Sequence, residues 1–215
     1  MIKSIINTLT YIIFFILAVI VLFINLAPQF GSNPSSEQKV FYDSFPNYSK
    51  GGFENFESTP MMTGEISTWD FFKEDSLRKP TSAILPKSIN FDSFAKPNSD
   101  YRLAWLGHSA FLINVMGKII LLDPMLGSHA APIPLPNLKR FNEVLPINLD
   151  SIDRIDFVVI SHDHYDHLDY STIKLLKDKV SKFLAPHGIG NHLKKWGVKS
   201  NQIVELNWNE SFSAE

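Results

Sequence analysis

Cysteine is absent from the 215-residue chain, which excludes disulfides and thiolate metal ligands. Any bound metal must therefore be held by nitrogen and oxygen donors. Charge is also sparse and nearly balanced, since 20 basic and 22 acidic side chains leave a net charge of −2. Because the chain offers no basic field to attract a phosphate backbone, we expect no nucleic-acid partner.

Ionised side chains are likewise missing from the apolar block Leu9–Leu26. A helix of about 20 apolar residues spans the hydrocarbon layer, so we predict a retained transmembrane anchor over residues 1–27. The alternative is a cleaved signal peptide, but the block exceeds the roughly 7 to 15 residues of a signal core. Lys3 is the nearby flanking charge and favours a cytoplasmic amino terminus with the body outside the cytoplasm.

The rest of the chain divides by composition into two regions. Residues 28–99 are rich in Ser, Asn, Pro and aromatic side chains, and we expect an extension that packs on the catalytic domain. Ser35 and Gln38 have capping-box spacing and predict a short helix through Tyr42. A second helix is predicted over residues 67–79, ending before a proline.

Residues 100–215 contain the strand signals. Branched and aromatic runs predict strands at 101–106, 109–115, 118–122, 155–160, 182–185 and 202–206, with helices from 169 or 171 to 178 and at 189–196. Alternation of strands and helices predicts an α/β fold whose sheet is covered by helices. The proline-rich loop 125–146 is long, and we expect it to form one wall of the functional site.

A cluster of metal-binding residue types follows the buried strand 155–160. This ligand cluster consists of His162, His164, Asp166 and His167. In an extended chain residues two apart point to the same side, so His162 and His164 can reach one cation, and the next turn directs the other two toward a second. Imidazole and carboxylate suit zinc and similar divalent ions. Two such ions would activate a shared hydroxide, so we expect hydrolysis with a metal-bound hydroxide near Asp166.

The stretch Ser161-His162-Asp163-His164-Tyr165-Asp166-His167 resembles the His-x-His-x-Asp-His signature of the metallo-β-lactamase fold. Further stretches resemble bacterial members of the branch of N-acylphosphatidylethanolamine-hydrolysing phospholipase D. They are 29–31 with 52–55, 105–109, 122–124 with 139–141, and 188–197 with 205–206. The resemblance runs from about Pro28 to Trp208 and implies the amino-terminal part of an αββα sandwich.

The resemblance also implies roles for individual residues. His162 and His164 would bind a first zinc ion, and Asp166 and His167 a second. Asp123 would fix ligand orientation by hydrogen bonds, or it simply ends its strand in an Asp-Pro turn.

Four other histidines and one tyrosine have less specific surroundings. His108 is a candidate for the substrate site or a surface residue, and Tyr165 faces substrate or packs against the loop. The remaining histidines, His129, His187 and His192, are interpreted as ordinary loop and helix residues.

The family pattern includes a further histidine, a bridging aspartate and a last histidine after the signature. Downstream of His167 this sequence contains only His187 and His192. We therefore expect the amino-terminal part of a longer enzyme, with at most partial metal binding and little activity.

Three functions remain open from the sequence. The first is hydrolysis of N-acylphosphatidylethanolamine-like phospholipids beside a lipid bilayer. The second keeps the fold and changes the substrate to a lactone, sugar phosphate or β-lactam, because fold alone does not settle substrate. The third is a catalytically dead membrane-anchored module. Oligomeric state is left open.

Overall fold

The computed structural model describes residues 1–59, 64, 67, 69, 80–82, 84–97, 101–142 and 144–214. The predicted helix 67–79 lies outside the described residues except at its positions 67 and 69. Within the described parts, the fold consists of an apolar amino-terminal helix, an irregular arm and a six-stranded sheet with helices.

The amino-terminal helix α1 spans Ile2–Leu26, and none of its residues is buried by the rest of the protein. It is long and apolar enough to cross a membrane, as predicted. The helix ends where Ala27 adopts an extended conformation ahead of Pro28, a residue that cannot donate to a preceding carbonyl. That the helix spans a membrane, and the direction in which it would do so, stay predictions.

The main sheet has the strand order β3-β4-β5-β6-β7-β8. Its strands are β3 Arg102–Gly107, β4 Ala110–Val115, β5 Lys118–Leu122, β6 Ile155–Val159, β7 Val180–Pro186 and β8 Ile203–Leu206. The first three strands are antiparallel and the last four pair in parallel. Because the carboxyl ends of parallel strands meet at one edge, the segments that follow β5, β6 and β7 emerge side by side.

Four short helices accompany the sheet in the described residues: α2 Ser36–Tyr42, α3 Phe91–Ala95, α4 Tyr170–Leu176 and α5 Ile189–Lys195. The small hairpin β1 Tyr48–Ser49 and β2 Gly52–Phe53 lies in the arm.

The capping box of Ser35 and Gln38 is confirmed, with the Gln38 amide donating to Ser35 Oγ at 3.2 Å. Strand β7 begins two residues earlier than predicted, at Val180, because the chain leaves α4 through a 3-10 turn at Lys177–Lys179.

The two faces of the sheet differ in burial. On one face Leu112, Leu121 and Phe183 are fully buried together with Ile173 of α4 and Leu193 of α5. On the other face Leu103 and Trp105 remain 64% and 60% exposed. The hydrophobic core therefore lies between the sheet and its helices, as expected for an α/β layer.

The arm after α1 is attached to α5 and its flanking residues. Trp196 Nε1 donates to the Pro28 carbonyl at 2.7 Å, and the Ser32 amide donates to His192 Nδ1 at 3.0 Å. Gly31 has φ of 68°, and a Cβ there would lie 1.7 Å from His192 Nδ1, so only glycine fits this approach. The boundaries predicted for the three regions of the chain stay predictions.

Candidate metal centre

The loop that follows β6, residues 160–168 and here called the histidine loop, is fixed at both ends. Ile160 and Leu168 are each 2% exposed and bury its two ends in the core. Inside the loop, the amides of His167 and Leu168 donate to the His164 carbonyl at 3.0 and 2.8 Å and close a turn. These bonds hold the ligand cluster on one short, rigid piece of backbone.

Asp123 lies directly beneath the histidine loop. It follows β5 with φ of 42°, a conformation that Asp tolerates better than most residues. Its Oδ1 accepts from the Ser161 amide at 2.7 Å, and its Oδ2 accepts from Ser161 Oγ at 2.8 Å and lies 3.0 Å from His167 Nδ1. A carboxylate at Nδ1 holds that imidazole in the tautomer whose Nε2 lone pair is free for a metal.

The imidazoles of the loop lie against one another. The ring centroids of His162 and His167 are 4.0 Å apart, and those of His162 and His164 are 4.6 Å apart. Burial, and then the neighbouring His167 and His164, lower the pKa of His162 below its ordinary value. His162 is therefore neutral near pH 7, the form that binds metals.

His108 comes from a distant part of the chain and contacts Asp166. It occupies the turn between β3 and β4 with φ of 48°, and its Nε2 lies 2.8 Å from Asp166 Oδ2. His167 Nε2 is 3.6 Å from the same oxygen. Burial is the largest single influence and on its own would raise the pKa of Asp166. The hydrogen bond with His108, a backbone hydrogen bond and the nearby His167 and His108 together outweigh burial, so the net pKa is lowered. Asp166 is therefore an ionised carboxylate at neutral pH.

These donors fit a divalent cation. One ligand atom from each of His108, Asp166 and His167 lies within 4.8 Å of the others. A carboxylate flanked by two imidazoles, one of them oriented by a buried acid, is the donor set expected of a zinc-type site. The assignment of individual residues to a first or a second ion stays a prediction.

A large apolar cavity opens beside these residues. It has a volume of about 1160 Å³, and both His108 and Asp166 line it. Apolar side chains dominate the rest of its wall, among them Leu103, Trp105, Leu138, Phe141 and Leu145. The proline-rich loop 125–146 thus lines a cavity at this edge of the sheet, which agrees with its predicted position.

Tyr165 lies elsewhere. It lines a second cavity of about 340 Å³ together with Gln29, His129 and Pro134. Burial and then Asp169 raise the pKa of Tyr165 to about 12, so its hydroxyl stays protonated. The structure therefore separates Tyr165 from the cavity that Asp166 lines.

Two features of the site are not evident from the residue pattern. Ser161 bridges Asp123 to the cluster, since its Oγ also lies 2.9 Å from His162 Nδ1. In the sequence, only the position of Ser161 next to His162 could have indicated this role. The contact between His108 and Asp166 joins residues 58 positions apart, and no local pattern points to it. His192 and His187 contact the arm instead. The Ser32 amide donates to His192 Nδ1, and the centroid of the His187 ring is 4.8 Å from that of Phe45.

Comparison with known proteins agrees with this fold. Residues 118–215 match the family model of the Beta-lactamase superfamily domain, so the predicted fold class is confirmed. An uncharacterized protein of Mycobacterium tuberculosis is 34% identical over 84% of this chain and 49% of its own length. A Caenorhabditis elegans protein named N-acyl-phosphatidylethanolamine-hydrolyzing phospholipase D 1 is 32% identical over 62% of this chain and 39% of its own length.

A protein of Hyperthermus butylicus named as a metal-dependent hydrolase is 27% identical over 48% of this chain and 40% of its own length. This chain thus spans about half the length, or less, of the curated relatives that it matches. Residues 118–215 thus resemble the Beta-lactamase superfamily domain, and the chain is similar to proteins named as a phospholipase D and as a metal-dependent hydrolase.

Proposed function

We propose that this protein is a metal-dependent hydrolase that acts on phosphodiesters of N-acylphosphatidylethanolamine-like phospholipids. The observation that carries the proposal is the apolar cavity of about 1160 Å³ whose wall includes Asp166 and His108. A cavity of this kind suits a lipid acyl chain better than a small polar substrate. The similarity to the Caenorhabditis elegans phospholipase supports the same substrate class.

Four side chains would hold the metal: His162, His164, Asp166 and His167. Zinc is the proposed ion, because only nitrogen and oxygen donors are present and the chain has no cysteine. When bound, such cations lower the pKa of water and stabilise negative charge on a phosphoryl group.

The chain's own residues prepare the site for this chemistry. Asp123, 6% exposed, keeps His167 and Ser161 in fixed orientations. The hydrogen bond between His108 and Asp166 helps to keep the Asp166 carboxylate ionised, and both side chains line the cavity. The apolar wall excludes water from the lipid tails, and Arg140 at the same wall offers positive charge for an anionic headgroup.

Metal binding is the first test of the proposal. We expect the full chain, purified in detergent, to bind zinc and the His164→Ala variant to lose most of it, because His164 is one of the predicted donors. His129→Ala is the matched control, since the His129 side chain bonds only to the neighbouring Ser128 among the described contacts. Metal content by mass spectrometry decides the result, and equal zinc in both variants would contradict the ligand assignment.

Turnover is the second test. The zinc-loaded chain is assayed side by side on N-acylphosphatidylethanolamine, a lactone and nitrocefin, with and without a chelator. The proposal expects turnover of N-acylphosphatidylethanolamine alone, which water splits into phosphatidic acid and N-acylethanolamine, and it expects the chelator to abolish this turnover. Turnover of nitrocefin or the lactone alone would move the substrate to the second class, whereas zinc binding without any turnover would favour the non-catalytic module. The predicted truncation of the enzyme stays a prediction.

A further inference from the structure

The middle of the proline-rich loop forms an ordered hairpin, residues 129–139, here called the proline hairpin. His129 and Lys139 pair as an antiparallel bridge, and the Ala130 amide donates to the Leu138 carbonyl at 2.9 Å. Arg140 closes the base, with its amide donating to the Ser128 carbonyl at 3.1 Å and its Nη1 to the Leu126 carbonyl at 2.8 Å. The three prolines at 132, 134 and 136 fix φ in the tip and reduce the entropy lost when it binds.

The tip of the proline hairpin is apolar and exposed. Ile133, Leu135 and Leu138 are 44%, 46% and 43% exposed. The sequence from 124 to 138 has no Asp, Glu, Lys or Arg, and it is followed directly by Lys139 and Arg140. An apolar tip with adjacent cationic side chains is the composition of a segment that rests in a membrane interface.

The hairpin also lies beside the exit of α1. Gln29 lines the same 340 Å³ cavity as Pro132 and Pro134 of the hairpin. Only three residue steps separate Gln29 from Leu26, the last residue of α1, so the two lie within roughly 10 Å. The bonds from Trp196 to Pro28 and from Ser32 to His192 fix this exit against the body. The hairpin is therefore at the depth of the lipid headgroups if α1 spans the bilayer.

The same hairpin borders the route to the metal centre. Leu138 lines the 1160 Å³ cavity, whose wall also includes Asp166 and His108. The hairpin thus lines both cavities: Pro132 and Pro134 line the small cavity near Gln29, and Leu138 lines the large one. A lipid drawn sideways from the bilayer would pass this hairpin on its way to Asp166.

We propose that the proline hairpin inserts its tip, Ile133 and Leu135, into the bilayer surface beside α1 and forms a second membrane contact. Its partner is the lipid surface itself, with Lys139 facing anionic headgroups. The inference rests on α1 lying in the bilayer and on the proposed function. It deepens that function by placing the 1160 Å³ cavity next to the lipid headgroups.

Single-cysteine labelling of the full chain tests the proposal, because the natural sequence contains no cysteine. Ile133→Cys carries an environment-sensitive fluorophore, and the chain is reconstituted in phosphatidylcholine vesicles containing some phosphatidylglycerol. Met116→Cys is the matched control: Met116 is 76% exposed and precedes β5, at the edge of the sheet opposite the metal centre. Leu135→Cys provides a second, independent label in the tip.

We expect both tip labels to emit at shorter wavelength than the control, to be quenched severalfold more strongly by lipids with a shallow nitroxide, and to resist aqueous iodide. Equal lipid quenching of the tip and control labels overturns the proposal. A blue shift without lipid quenching also overturns it, because protein rather than lipid would then cover the tip. The readout needs neither metal nor turnover, so inserted tips without lipid hydrolysis would reject the proposed function and leave this inference standing.

Discussion

Two loops at the same edge of the sheet are built in opposite ways. The histidine loop, 160–168, has both ends buried and its side chains tied to Asp123 and to one another. The proline hairpin, 129–139, is held by backbone bonds at its base and by a turn bond from the Leu138 amide to the Leu135 carbonyl, and the side chains of Ile133 and Leu135 at its tip are exposed. Ligands that must bind a cation in fixed geometry need a rigid loop such as the histidine loop. A segment that inserts into a fluid bilayer needs an exposed apolar tip such as that of the proline hairpin.

The two loops are nevertheless connected, through Asp169. This residue, 1% exposed, directly follows the histidine loop and caps α4, accepting from the Ser171 and Thr172 amides. Its Oδ2 also accepts from the Gly127 amide at 2.8 Å, close to the start of the proline hairpin. A rigid loop and an exposed one thus share a single buried carboxylate.

Removing the support of the rigid loop has the largest expected effect. Asp123→Ala leaves the Ser161 amide and hydroxyl and His167 Nδ1 without their partner. We expect a loss of about 3 kcal/mol in the free energy of unfolding and roughly 10- to 100-fold weaker zinc binding. Urea unfolding and zinc titration measure the two quantities.

Asp153→Ala is the control for that variant, because Asp153 is exposed and lies two residues before β6, the neighbour of β5 in the sheet. Its free energy of unfolding should change by less than about 0.5 kcal/mol. If the two variants behave alike, Asp123 does not support the loop.

Breaking the connection between the loops comes next. Asp169→Ala removes the cap of α4 and the bond to Gly127. We expect a loss of about 2 kcal/mol in the free energy of unfolding and faster amide exchange in both loops at once. Hydrogen exchange with peptide resolution provides the measurement, and Asp178→Ala, whose side chain is 74% exposed, is the control. Faster exchange in the histidine loop alone would show that Asp169 does not connect the two.

The smallest effect on stability is expected at the tip of the hairpin. Ile133→Ser changes an exposed side chain, so the free energy of unfolding should shift by less than about 0.5 kcal/mol in detergent. A loss comparable to that of Asp169→Ala would mean that the tip is packed in the protein, and the contrast between the two loops would disappear. Thermal and urea unfolding of the purified variant decide this.

The parts of the protein that could be predicted from sequence are those carried by short segments. Three such features depend on neighbours within a few residues. They are the apolar run of α1, the capping box at Ser35 and the runs of branched and aromatic residues that predicted the strands. The ligand cluster was also predicted from a short segment, because six consecutive residues contain all four of its members, and its role in metal binding stays a prediction. The boundaries that shifted, such as the start of β7, are positions where a 3-10 turn replaced an expected helix end.

By itself the sequence determined the absence of thiolates and the presence of a membrane-length helix, since composition is sufficient for these, and it predicted His162, His164, Asp166 and His167 as metal donors. Only the tertiary structure decided which distant groups join them. His108 meets Asp166, Asp123 meets His167, and Gln29 meets the proline hairpin because parallel strands end at one edge and the arm returns to α5. Such contacts depend on strand order and register, which residue spacing along the chain does not encode locally.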